Sequence, residues 1–76
     1  MLGDRILRKR QELKLTQAEV AEKTGLKQFH ISRIENGDIK DVKGDTLRRL
    51  ARALGVTTDY LLGMDEDSER LAAAVA

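Results

Sequence analysis

Apolar residues recur along this chain at helical spacing and are cut into short blocks by glycine, asparagine and aspartate. The clearest block is Leu47, Leu50, Ala51 and Leu54, an i, i+3, i+4, i+7 stripe with Arg48, Arg49 and Arg52 on the other side. It predicts an amphipathic helix over Thr46–Leu54, capped by Asp45 and ended by Gly55. Leu2, Ile6 and Leu13 mark one face of a first helix, capped by Asp4 and running to about Leu13, with Arg5, Arg8 and Lys9 largely off that face. Thr57 caps a short helix, TDYLL, with Val56 and Leu61 as its hydrophobic staple and Gly63 closing it.

The stretch from Thr16 to Gly37 carries the sharpest signals. Thr16 with Glu19 three residues on forms a capping box, and Leu15 with Val20 the matching staple. Val20 and Ala21 face inward until Thr24-Gly25 ends the helix, glycine tolerating the left-handed backbone of a helix terminus. Leu26 leads into another helix, whose Ile31 and Ile34 share a face until Asn36-Gly37 stops it. Two helices joined by a short glycine-containing turn make a helix-turn-helix. From Gly37 to Asp45, DIKDVKG reads as a loop anchored by Ile39 and Val42, with Lys40 and Lys43 outward.

The expected fold is all-α: five short helices on one core over residues 1–63, with no strand. The tail, 64–76, opens with the acidic MDEDSE and continues as helix-prone RLAAAVA, with Leu71 and Val75 one turn apart. A frayed helix, a partner-binding helix and disorder all fit it. Arg10 falls on the inward stripe four residues after Ile6, where an unpaired cation is costly. Glu35, at the end of the helix bearing Ile31 and Ile34, is its expected ion-pair partner.

Composition narrows the classes. At 76 residues the chain is one domain, burying roughly 60 % of the surface its unfolded state exposes. With no cysteine and one histidine, His30, disulfides and Cys or His metal sites are excluded, so packing must supply the stability and no cofactor is expected. No apolar run approaches the roughly 20 residues of a membrane span, and no signal-peptide core is present, which makes the cytoplasm the expected compartment. The net charge of +1 is unevenly placed. Residues 1–44 hold ten Lys/Arg against seven Asp/Glu, whereas residues 45–76 hold four against six. The basic excess thus lies on the helix-turn-helix half, which suits a polyanion, although scattered cations more often serve only to solvate a surface.

With these residues in place the chain resembles the Cro and phage-repressor family of helix-turn-helix proteins, also called xenobiotic-response-element-type. The likeness spans about residues 4–63 through LRKRQELKLTQAEVAEKTGL, ISRIENG, LRRLARALGV and DYLLG. It implies a five-helix DNA-binding domain, commonly dimeric, acting in transcriptional regulation. By position, Gln17 matches the glutamine that touches a phosphate and buttresses the recognition helix. Lys27, Gln28, Phe29, Ser32 and Arg33 match the variable base-facing positions, Arg10 and Glu35 the internal ion pair, and Asn36 and Lys40 backbone contacts. Two departures stand out. Lys27 replaces the usual Ser or Thr cap, and Phe29 with His30 replaces smaller polar residues.

On a helical wheel with Ile31 and Ile34 inward, Phe29, Ser32, Arg33 and Asn36 project outward, with Gln28 and His30 on the flanks. Gln28 has the donor and acceptor for a bidentate contact to adenine, and Phe29 the apolar surface for a thymine methyl, unless it tucks into the core. Arg33 suits guanine or phosphate. Gln17 at a helix N-terminus favours a phosphate. His30, Lys40 and Lys43 are candidate phosphate contacts, the two lysines equally readable as solvated charges, and Arg48, Arg49 and Arg52 read as a solubilising face.

These features predict a regulator of transcription, most simply a repressor, binding double-stranded DNA as a homodimer on two half-sites. Leu62, Met64, Leu71 and Val75 are its candidate pairing residues. The alternative is an antitoxin whose tail after Gly63 binds a protein partner. No catalytic constellation is evident, so an enzyme is not expected.

Overall fold

The computed structural model describes residues 2–63. Among them are five helices and no strand: α1 (Leu2–Glu12), α2 (Gln17–Thr24), α3 (Gln28–Glu35), α4 (Gly44–Leu54) and α5 (Thr58–Leu62). The expectations for 64–76, Met64, Leu71 and Val75 included, fall outside the described residues.

The core draws on every helix. Ile6, Val20, Ile31, Ile34, Leu50, Leu54 and Leu61 are all 1 % exposed or less, with Leu47 and Ala51 nearly so. Loop residues Leu15, Leu26, Ile39, Val42 and Val56 close its edges. The central α4 packs on α1, α2 and α5, while α3 lies against α1 and α2. Each fully buried isoleucine contributes roughly 1.5–3 kcal/mol, so Ile31 and Ile34 pin α3 with its other side turned out.

Two helix starts differ from the sequence reading. Helix α1 begins at Leu2, placing Asp4 inside the first turn and not at the cap. A carboxylate is favoured there in either role, because the open amides make that end positive. The helix also stops at Glu12, so Leu13 misses the inner face and is 43 % exposed. Lys14 follows with φ +59°, in the left-handed region. Helix α4 begins at Gly44, with Lys43 in the cap position and making no side-chain cap bond. Asp45 sits one residue further in and pairs with Arg49 at 3.3 Å, one turn along.

The other signals hold. Thr16 Oγ1 accepts the Glu19 amide and the Glu19 carboxylate accepts the Thr16 amide, both at 3.0 Å. The Thr16 amide first, and the Thr16 hydroxyl second, hold the exposed Glu19 carboxyl below its ordinary value. Thr57 Oγ1 accepts the Tyr60 amide at 3.0 Å. Arg5 ties α1 to α5, donating to the Tyr60 carbonyl at 2.9 Å with its guanidinium 5.0 Å from the ring centroid. Gly3 marks where α1 crosses the end of α3: a Cβ there would press into the Ile34 and Glu35 carbonyls.

Candidate nucleic-acid interface

The turn between α2 and α3 is locked by more than its glycine. Gly25 takes φ +75° and its amide reaches the Ala21 carbonyl, which ends α2. Thr24, buried, donates its hydroxyl to the Val20 carbonyl at 2.8 Å and accepts the Leu26 amide at 3.2 Å. One side chain thus fastens the end of α2 to the first residue beyond the turn. Sequence reading took Thr24 only as a terminator; its one signal was a hydroxyl four residues after the inward Val20.

The far end of α3 is held by Glu35, whose side chain is 4 % exposed. Its carboxylate accepts Arg10 Nε at 2.7 Å and Arg10 Nη2 at 3.0 Å, the expected ion pair in bidentate form. It also accepts Gln17 Nε2 at 3.0 Å. Arg10 Nη1 donates to the Leu15 carbonyl at 2.9 Å. The Glu35 carboxylate raises the Arg10 pKa against the opposing effect of burial, so the pair stays charged. The Glu35 carboxylate therefore joins α1, α2 and α3, Arg10 adds the α1–α2 link through Leu15, and no buried side-chain N or O among the described residues lacks a partner. Gln17 buttresses α3 in this way, with one of its two amide hydrogens committed to Glu35.

Between these anchors the outer side of α3 is open. Lys27, Gln28, Phe29, Arg33 and Asn36 are exposed, while Ser32 and His30 are half-buried. Phe29 does not tuck into the core: it is 59 % exposed, with the Arg33 guanidinium 5.7 Å from its ring centroid. That pairing was missed in sequence, though its i, i+4 spacing signals it. Lys27 occupies the α3 cap position without a side-chain cap bond, which leaves the first amides of α3 for other acceptors. At the front of α2 the capping box uses the Thr16 and Glu19 amides and leaves those of Gln17 and Ala18 at the positive helix end. Beyond α3, Asn36 Oδ1 accepts the Asp38 amide at 3.0 Å, Gly37 turns the chain with φ +89°, and Lys40 and Lys43 are exposed on the loop. The candidate residues are thereby assembled around one helix: Lys27, Gln28, Phe29 and Arg33 along it, Gln17 beside it, Asn36, Lys40 and Lys43 after it.

The described residues offer little else chemically. No group of three or more His, Cys, Asp or Glu among them could hold a metal ion, and no helix is long and apolar enough to cross a membrane.

The chain matches a helix-turn-helix family model over residues 6–61. It is 42 % identical over 69 residues to the HTH-type transcriptional regulator ImmR of Bacillus subtilis (strain 168), covering 91 % of this chain and 54 % of that protein. It is 38 % identical over 58 residues to HigA2 of Mycobacterium tuberculosis (strain ATCC 25618 / H37Rv), provisionally named an antitoxin, covering 76 % of this chain and 57 % of that one. The chain thus spans little more than half the length of these curated relatives. Among solved structures it is similar to SinR, described as the master regulator for biofilm formation, in complex with DNA: TM-score 0.79, 31 % identity, 82 % of this chain and 98 % of that one. It is also similar to the P22 c2 repressor in complex with synthetic operator 9T: TM-score 0.75, 33 % identity, 80 % of this chain and 91 % of that one.

Proposed function

The chain belongs to the helix-turn-helix family, and we propose that it is a sequence-specific DNA-binding regulator of transcription, a repressor that occupies a two-fold symmetric operator as a homodimer. One observation carries this reading: α3 is fixed by two buried isoleucines and the Glu35 clamp, while Lys27, Gln28, Phe29 and Arg33 stand exposed on its free side. Such a helix enters a major groove, where each base pair shows a distinct pattern of donors, acceptors and methyl groups. Gln28 reads adenine and Phe29 covers a thymine methyl. Lys27, Ser32 and Arg33 complete the base-reading set. Phosphates are held by Gln17 with the open amides of α2, and by His30, Asn36, Lys40 and Lys43. The protein acts in the cytoplasm, where its operator lies.

Random-oligonucleotide selection followed by footprinting tests the reading. The expected result is a two-fold symmetric site with half-sites one helical turn or a multiple apart, bound with an affinity that falls steeply with salt. Gln28→Ala should cost about 1–3 kcal/mol on that site and relax preference at one base pair. Failure to enrich any sequence, with no duplex bound even at low ionic strength, would refute it. The similarity to HigA2 favours a second reading, an antitoxin that binds a protein partner and represses its own operon. Deleting 64–76 separates the two: loss of operator affinity supports pairing through the tail, and loss of partner binding alone supports the antitoxin.

A further inference from the structure

Phe29 and Arg33 stand one turn apart on the open side of α3, with the guanidinium within cation–π range of the ring. A phenylalanine 59 % exposed is uncommon in a small domain. No carboxylate among the described residues claims Arg33, so its guanidinium lies beside the ring with its donors facing solvent. Arginine is ordinarily mobile, and a flat ring beside its planar fork limits the orientations it samples. Residues four apart on a helix are about 6 Å apart along the axis, and successive base pairs about 3.4 Å. Two such side chains in mutual contact converge on neighbouring base pairs.

On the DNA-binding reading above, we propose that Phe29 and Arg33 act as one reading unit selecting a guanine beside a thymine: the Arg33 fork donates to guanine O6 and N7 while the ring covers the C5 methyl of the adjacent thymine. Neither residue reads its base independently. The ring sets the pose of the guanidinium, and the guanidinium holds the ring over the methyl.

The test uses the duplex enriched by selection with the wild-type protein, labelled with fluorescein and titrated by anisotropy. A guanine–thymine neighbour pair is expected in each half-site. Replacing that thymine by deoxyuridine, which removes only the methyl, should weaken wild-type binding about fourfold. Replacing the guanine by 7-deazaguanine, which removes N7, should weaken it by roughly tenfold. In Phe29→Ala both penalties should largely vanish. In Phe29→Leu, which keeps an apolar contact and loses the ring, the deoxyuridine penalty should persist while the deazaguanine penalty shrinks. These variants change an exposed position, and an unshifted thermal melt confirms that each is folded. A full deazaguanine penalty in folded Phe29→Ala overturns the unit, as does a wild-type protein indifferent to deoxyuridine, or a Phe29 loss that is equal on every sequence. Wild-type protein that binds no duplex at all refutes the DNA-binding reading itself, a result separable from these.

Discussion

The crossing of α1 over the end of α3 makes a sharp quantitative test, because two glycines near helix starts meet opposite surroundings. Helix propensity alone favours alanine over glycine by about 1 kcal/mol in a helix interior. At Gly3 the added Cβ would lie 2.8 Å from the Glu35 carbonyl oxygen and nearer still to that of Ile34, both backbone atoms. An ordinary carbon–oxygen contact is roughly 3.3–3.6 Å, so α1 must lift from α3. With two backbone oxygens in the way the cost falls in the upper part of the usual overpacking range, about 2–3 kcal/mol, which leaves a net destabilisation of roughly 1–2 kcal/mol for Gly3→Ala once the propensity gain is deducted. At Gly44 a Cβ would meet nothing within 4 Å, and Gly44→Ala should stabilise by about 0.4–1 kcal/mol. In a domain this size 1 kcal/mol moves Tm by about 4–8 °C, so the two melts should diverge in opposite directions from wild type. Circular dichroism melts with urea titrations at matched conditions provide the measurement. If Gly3→Ala were neutral or stabilising, the described contact between α1 and α3 would be wrong.

Three further outcomes are expected. Glu35→Leu strands the Arg10 guanidinium and should cost about 3–5 kcal/mol, whereas Arg10→Met combined with Glu35→Leu should recover most of it; a double variant as unstable as the sum of both singles in urea would show that the pair is not the organising contact. The depressed Glu19 carboxyl contributes stability that is present above its ordinary value and lost as pH falls below it, since the unfolded chain takes up that proton first; between neutral pH and about pH 3 the urea midpoint of wild type should therefore fall more than that of Glu19→Gln, and equal falls would contradict the capping box. Leu62, 50 % exposed beside a cavity of about 500 Å³ that Leu2, Ile34 and Ile39 also line, is the described residue best placed for the proposed homodimer; on that proposal Leu62→Glu should give a monomer in sedimentation velocity with an unchanged melt, and a persistent dimer would move the interface elsewhere.

Much of this fold is legible in the residues because its punctuation is chemically unambiguous. Thr16 with Glu19, and Thr57, are hydroxyl caps, and Gly25, Gly55 and Gly63 all take the left-handed backbone their positions imply. The Arg10–Glu35 pair is legible for a different reason: a cation on an apolar stripe demands an anion, and Glu35 ends the helix that packs there. Asp4 and Asp45 mislead because aspartate is favoured both at a cap and within the first turn, and the first turn is where both sit. Leu13 misleads because apolar spacing says nothing about where a helix stops. At the site, the exposure of Gln28, Phe29 and Arg33 follows from the burial of Ile31 and Ile34. The Gln17 bond to Glu35 depends on side-chain directions across the turn, which no linear pattern encodes, whereas the Thr24 lock and the Arg33–Phe29 contact leave only faint spacing signals, a hydroxyl four residues after Val20 and an i, i+4 pair.

The two ends of α3 are secured unequally. Its last residue is fixed by three strong bonds to α1 and α2, whereas its first turn follows a lysine that supplies no cap. If α3 reads an operator as proposed, strain imposed by an imperfect site would be absorbed at Gln28 and Phe29, which can shift without disturbing the core, and scarcely at all near Asn36. Tolerance to base changes should be graded along each half-site, generous under the leading turn and strict under the trailing one. Evolution toward new operators then has an inexpensive route, retuning the front of the helix while the rear keeps the domain intact.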